Sequence, residues 1–413
     1  MTAQASVSLP HNLAKSEEYP QPHQRWQAWC RAVGLQSEPF ERLEASADPD
    51  LGHYFVGHDA FAAAWGSWLS LLFAPPGSGK TALSAHLARA CWIGQETNRP
   101  FPLPYTVPFL RWGHAAPSLE DHLAAISEAA ARHLLLALAH RPHWFFRQDD
   151  RARQYLRAVL ARNLPGPLAT FLAPCLESQS LEPLRELFPA AFLPPDPPPA
   201  HAVVDFCRAL EALPAAPAAG RPPALERWRE IRTALLDILR LPAVYLMLDG
   251  LDAAAETAAD ANTAVGCLAP VLTLAPDWAA QRVYAKAFLP VEIEAALAAR
   301  FADLIAASQS ARLTWSPDAL ADVIRRRVFF ATRGDFGSLA AIATPDLSDL
   351  ETRLAYASPP MPREILVLTR QTLFLAAQRY PAVQITRDDL KRAWRDYARS
   401  RPDLAGLAQQ PLA

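Results

Sequence analysis

The residues with the clearest chemistry form one run, Ala74-Pro75-Pro76-Gly77-Ser78-Gly79-Lys80-Thr81. The short apolar stretch Trp68–Phe73 precedes it and the helical stretch TALSAHLARACW follows, so the spacing predicts strand, glycine-rich turn and helix in succession. In that setting each residue type has a task. Gly77 and Gly79 permit backbone angles and a close approach that a Cβ would forbid. The backbone N–H groups from Gly77 through Ser78, Gly79 and Lys80 to Thr81 and Ala82, aligned with the helix dipole, suit phosphate oxygens. Lys80 can reach β- and γ-phosphates as a point charge, and Thr81 can offer its hydroxyl to Mg²⁺. Ala74 stands where the stricter form of this motif has Gly. The competing reading, a glycine-proline turn with an incidental Gly-Lys-Thr, needs the flanking strand and helix to be accidental as well.

A second apolar run, Val244–Leu248, ends in Asp249-Gly250-Leu251-Asp252. A carboxylate at a rigid strand end is what the Mg²⁺ side of such a loop requires, which makes Asp249 the expected partner of Thr81 in holding the metal. Asp252 is the nearest further acid. It can position an attacking water, or it can cap the helix that follows.

Composition narrows the field. The chain has 413 residues, enough for two to three domains, with 51% hydrophobic and 20% charged residues and a formal net charge of -2. No global positive field points to nucleic acid or an anionic membrane. Lysine occurs only at Lys15, Lys80, Lys286 and Lys391, against 36 arginines, so a lysine in the loop stands out. The five cysteines form no CxxC pair and the histidines no HExxH, which predicts neither a zinc site nor a redox dithiol. The N-terminus lacks an apolar leader core, and no uninterrupted apolar run of ~18 residues appears. The expectation is a reduced, soluble, cytoplasmic protein without a membrane partner.

At these motifs the chain resembles the P-loop NTPases of the AAA+ and STAND grouping. Asp249-Gly250-Leu251-Asp252 resembles the strand ending of STAND ATPases, and Tyr54-Phe55-Val56-Gly57-His58 resembles the box that lines the adenine pocket there, with His58 where Arg is usual. Ala357-Ser358-Pro359-Pro360-Met361-Pro362-Arg363 resembles the start of a lid helix, and Ile385–Trp394 a terminal segment of the same grouping. The lead-in also resembles that of uncharacterised bacterial ATP-binding proteins. The resemblance implies ATP and Mg²⁺ as cofactors, Val56 and Gly57 near the base, and Arg363 as the lid arginine that reports the γ-phosphate. A surface arginine at a helix start is the plainer reading of Arg363. Lys286 lies near the position of a second phosphate sensor, or snorkels at a strand edge. Arg325-Arg326-Arg327 is an arginine finger toward a neighbouring subunit, a nucleic-acid patch or a solvated face. Gly250 replaces the catalytic Glu common after the strand-end Asp, and Ala253 replaces a second acid, which implies slow hydrolysis.

The patterns and the resemblance together predict an α/β, three-layer P-loop core with a parallel sheet, a large mainly helical insertion and a C-terminal helical lid. The expected boundaries are an N-terminal arm over 1–40, a core over 41–300 containing the insertion 95–240, and the lid over 301–413. Strands are expected at Trp68–Phe73, Ala243–Leu248 and Arg282–Leu289. Helices are expected at Ala62–Ser67, Leu119–Ala139, Asp150–Asn163, Ala224–Arg240 and Ala258–Thr273, and nearly throughout after Val291. A capping box over Thr386–Asp389 opens the last helix. Phe188–Pro199 and Leu213–Pro223 read as proline-rich surface connectors, and most tryptophans of the N-terminal half (26, 29, 65, 68, 92, 112 and 144) as core. The implied function is an ATPase acting as a nucleotide-dependent switch on a protein partner, in bacterial signalling or defence, with a nucleotide-dependent homo-oligomer as one form. The alternatives are a DNA-associated AAA+ ATPase of the transposition or replication-loader type and a non-hydrolysing ATP-binding scaffold.

Overall fold

The computed structural model describes residues 22–93, 98–106, 116–214 and 222–409. Part of the expected arm (1–21), Lys15, Trp112 and most of the second proline-rich connector lie outside them. The three apolar runs form β1 (Ser70–Ala74), β3 (Val244–Asp249) and β4 (Val283–Pro290). They make the centre of a five-stranded sheet, completed by β2 (Phe101–Thr106) and β5 (Gln309–Arg312), in the order β2-β3-β4-β1-β5. Every pairing is parallel. The chain is thus α/β, with both sheet faces covered, as parallel strands require.

Side-chain alternation sorts the strands onto two cores. Leu71 and Phe73 of β1, with Leu246 and Leu248 of β3, face helices Leu119–His140 and Ala261–Ala280. Leu72 and Ala74, with Tyr245 and Met247, face helix Lys80–Trp92 and the short helix Ala60–Ala64. The helix Ala261–Ala280 is long and apolar enough by composition to cross a membrane, but here Leu268, Val271, Leu272 and Trp278 are buried in the core beneath the sheet.

Two edge strands depart from the expected plan. β2 lies inside the stretch expected to be mainly helical. Its prolines conceal it, yet they fit an outer strand: the Phe101 N–H donates to Ala243 O (2.8 Å), so alternation turns the N–H-less Pro102 and Pro104 away from β3. The helices that follow share one core with the sheet rather than forming a separate body. β5 pairs with β1, so the expected boundary at residue 300 falls one strand early. Its short, polar Gln309-Ser310-Ala311-Arg312 has none of the apolar signature of a central strand.

Smaller differences follow from local chemistry. The expected helix 62–67 ends at Ala64, before Gly66. The expected helix 258–273 is two helices, Ala255–Ala259 and Ala261–Ala280; the Asp260 carboxylate restarts the second by accepting the Asn262 and Thr263 N–H groups. The helix from Ala224 turns into one π-helical stretch, Ala234–Ile238. The Thr386–Asp389 capping box is present, with Thr386 Oγ1 accepting from Asp389 N–H.

The C-terminal helices Pro317–Ala331, Leu350–Ala357, Pro362–Gln378 and Arg387–Ser400 form a second unit with its own core. Residues 22–40, expected as part of a partly ordered N-terminal arm, belong to it. Trp26, Trp29, Cys30 and Val33 make an i, i+3, i+4, i+7 stripe along the helix Pro22–Ala32, all buried against this unit, and the Trp29 indole donates to Val383 O (3.0 Å).

Candidate functional site

Because β1 and β3 run parallel, Ala74 and Asp249 end on the same edge of the sheet, separated by the width of β4. Two strand spacings are about 10 Å. The turn 75–79 spans that gap. Gly77 (φ +86°) and Gly79 (φ +92°) both take the left-handed conformation, and the turn delivers Lys80 and Thr81 to the first turn of helix 80–92. A Cβ on Gly77 would sit 3.2 Å from the Cβ of Arg363 in addition to the backbone strain.

Thr81 and Asp249 meet directly: the Thr81 hydroxyl donates to Asp249 Oδ2 at 2.8 Å, while Asp249 Oδ1 accepts the Gly250 N–H at 2.8 Å. Burial pushes the Asp249 carboxyl up to about 6, against the pull of those two hydrogen bonds. A hydroxyl and a half-buried carboxylate side by side are the oxygen donors a hard divalent cation takes. Helix 80–92 has no side-chain cap and no acid in its first turn, which leaves N–H groups there for an anion.

Lys80 is 5% exposed and fully engaged. Its Nζ donates to Ala74 O (3.0 Å) and Pro75 O (3.1 Å) and pairs with Asp252 Oδ2 at 2.8 Å. Asp252 caps no helix; the next one starts at Ala255. Arg363 opens helix 362–378 against the same turn. Its backbone N–H donates to Gly77 O (3.2 Å), and its guanidinium pairs with Glu44 at 3.1 Å. The turn, the end of β3, the segment 43–58 and the start of helix 362–378 enclose a cavity of about 470 Å³. Lys80, Thr81, Asp249, Asp252 and Arg363, drawn from positions up to 283 residues apart, all line it, as do Gly77, Gly79, Ala82 and Val56.

Two expected contacts differ. Gly57 is not among the residues lining the cavity, and Ser78 is buried beside it, its carbonyl accepting the Trp315 indole N–H (2.9 Å). His58 lines the cavity with its Nε2 donating to Thr314 O (2.9 Å) and its ring edge-on to Trp315. Its shorter side chain ties the exit of β5 to the loop, work that an arginine would do differently. The apolar wall comes partly from residues that no motif announces. Trp315 and Leu313 contribute, beside Tyr54 of the expected box, and Phe192 and Pro189 come from the first proline-rich connector. That connector is packed, not free: the Trp92 indole donates to Phe192 O (3.1 Å).

Two basic candidates lie elsewhere. Lys286 is on the central strand β4, so it is not at an edge, and it pairs in register with Ser70, the first residue of β1, at the end opposite the turn. Fully buried, its Nζ donates to Gly66 O (2.8 Å), Trp68 O (2.7 Å) and Ser70 Oγ (3.1 Å) and sits 4.6 Å from the Tyr245 ring centre. It therefore cannot reach the cavity. Burial pulls its ammonium down to about 7. An unfolded lysine holds its proton up to about pH 10.4, so the folded state gains stability as pH rises above 7 and loses it as pH falls through that value. Lys286→Met is expected to flatten the rise in stability between pH 7 and 9, measured by denaturant melts; an unchanged slope would contradict this.

Arg327, expected at the surface in an Arg325–Arg327 patch, is buried. It pairs with the fully buried Asp48 (3.4 Å), donates to Pro39 O and Arg42 O (both 3.1 Å), and lies 4.6 Å from the Tyr54 ring centre. It joins helix 317–331 to the cavity wall and is not available as a finger. Arg326 donates to Phe55 O (2.9 Å) and pairs with Asp322. Compared with protein-family models, curated proteins and solved structures, the chain matches none.

Proposed function

We propose that this chain is a P-loop ATPase of the AAA+ and STAND grouping that serves as a nucleotide-dependent switch on a partner protein. One observation carries the reading. The hydroxyl of Thr81, on a turn with two left-handed glycines, lies 2.8 Å from the strand-end carboxylate of Asp249. Two segments 168 residues apart in sequence supply the two halves of a metal site beside an uncapped helix N-terminus. The five-stranded parallel sheet is compatible with that architecture.

Lys80 and the N–H groups of the turn would hold the triphosphate, and Thr81 and Asp249 would hold Mg²⁺. The metal, when bound, neutralises charge on the β- and γ-oxygens. For Lys80 to serve, its ammonium exchanges Asp252 and the carbonyls of Ala74 and Pro75 for phosphate oxygens. Asp252, released, stands near enough to orient water. Arg363 likewise exchanges Glu44 for the γ-phosphate, and because it begins helix 362–378 the exchange moves the helical unit against the sheet. Gly250 directly after Asp249 leaves no acid at the usual water-activating position, which supports slow turnover awaiting a partner.

The test is radiolabelled ATP binding and turnover with and without Mg²⁺, comparing wild type, Lys80→Ala and Asp249→Ala. Wild type is expected to bind and turn over slowly, Lys80→Ala to lose binding, and Asp249→Ala to lose its Mg²⁺ dependence. Tight binding with no turnover under any condition would leave the scaffold reading. No wild-type binding would end the proposal.

A further inference from the structure

The outer face of helix 317–331 has chemistry that the nucleotide reading leaves unused. A shallow groove of about 860 Å³ runs between this helix, its C-terminal turn and His53. Arg325, Arg326, Arg333, Phe329, Phe330 and His53 line it. Phe329 is 55% exposed and Phe330 36%. Singly exposed apolar residues need no explanation, but two adjacent phenylalanines flanked by guanidiniums are a different matter.

Charge in the groove is one-sided. Its one lining acid, Asp50, is already paired with Arg42 (3.1 Å), and the nearby Asp322 with Arg326 (3.2 Å). Among the described residues Arg325 and Arg333 have no carboxylate partner. Arg333 also takes a left-handed backbone (φ +54°) immediately before Gly334 (φ +93°). This is how the helix closes, with the Gly334 N–H donating to Phe329 O (2.8 Å), and it turns Arg333 out beside the two rings.

The rings are arranged as platforms. Phe329 lies over Gly334 and Gly337, its carbons 3.4–3.6 Å from where their Cβ atoms would sit, and more than half of its surface is open. Phe330 stacks on His53 with centres 5.4 Å apart and planes within 15°. A peptide carboxylate would use the guanidiniums and leave these faces idle. Bases on a phosphate chain use both.

We infer that this groove is a docking site for single-stranded nucleic acid, with phosphates on Arg325 and Arg333 and bases stacked on Phe329 and Phe330. Stacking on an aromatic face tolerates any base, so binding is sequence-independent. Few phosphates are contacted: with Arg325 and Arg333 engaged, the slope of log affinity against log salt is about −1.4. The inference does not rest on the nucleotide reading, since none of the groove residues lines the 470 Å³ cavity.

The experiment is fluorescence anisotropy of labelled oligo-dT with the full chain in the absence of nucleotide, at low salt and then across a salt series. Wild type and Lys80→Ala should bind alike. Phe329→Ala should weaken binding about five- to a hundredfold with the salt slope unchanged, and Arg325→Ala or Arg333→Ala should each reduce the slope by about 0.7. Phe329 and Arg333 are exposed and Arg325 is half-buried, so a thermal melt of each variant checks that the fold is kept. Absence of saturable binding at low salt would overturn the inference. So would binding indifferent to all three substitutions, equal affinity for duplex DNA of the same length, or displacement by polyglutamate with the same variant dependence; the last would assign the groove to an acidic protein segment.

Discussion

Asp249→Asn is expected to make the ligand-free protein more stable at neutral pH while abolishing Mg²⁺-dependent ATP binding. Burial holds the Asp249 carboxyl at about 6, above its ordinary value near 3.9. Between those two values the folded state binds a proton that the unfolded chain has released, so stability falls as pH rises through this window and the loss is complete above pH 6. About two pH units at ~1.4 kcal/mol each set an upper bound near 3 kcal/mol. The side chain keeps some contact with solvent, so a value of ~1–2 kcal/mol is expected. Asparagine imitates the neutral form. Its oxygen can accept the Gly250 N–H and its amide can donate to the Thr81 oxygen, so neither neighbour is left unpaired. Denaturant melts at pH 8 should show the gain and melts near pH 4 should not. A variant less stable than wild type at pH 8 would refute the argument. The tension between ligand-free stability and cation affinity is what a carboxylate retained for binding should produce.

Arg327→Ala is expected to cost about 3–5 kcal/mol of stability, because it strands a buried charge. Asp48 is fully buried; its remaining partners are the Tyr54 hydroxyl, the Asp50 N–H and Arg42, whose guanidinium is 3.9 Å away. The carbonyls of Pro39 and Arg42 would lose their donor as well. Arg327→Lys should recover little, since one ammonium cannot replace a fork that reaches three acceptors. The double variant Asp48→Asn with Arg327→Met should recover much of the loss, as removing both charges removes the desolvation problem. A finger that acts on a neighbouring subunit would behave differently: Arg327→Ala would then melt like wild type and lose turnover alone.

The edge of the sheet where β1 and β3 end is the most legible part of the chain. The run 74–81 and the acid after Leu248 have backbone demands that few sequences meet by chance, and the structure brings Thr81 to Asp249 and Lys80 to Asp252. Much of the cavity wall was not legible. Trp315, Phe192 and Glu44 arrive from segments with no periodicity of their own, and only the tertiary fold places them there. β2 and β5 were missed for opposite reasons, one hidden by proline and the other too polar and short. Lys286, expected near a phosphate sensor or at a strand edge, is at neither: alternation along β4 says which face it takes and nothing about the depth at which it is buried.

The place of β2 limits how this protein could be shortened. Thr106 ends β2 in register with Asp249, whereas the chain re-enters the sheet at Val244, the opposite end of the adjacent parallel strand. The helices between these points therefore form the crossover of a single β-α-β unit, and their two ends lie about 17 Å apart along the strand direction. A tight hairpin cannot replace them; parallel neighbours need a connection of a dozen or more residues that returns across one face of the sheet. Helix 119–140, packed beneath β2 and β3, is the segment that a minimal version would have to keep. The remaining helices share that core, and Phe192 between them lines the cavity, so cutting them back would open both.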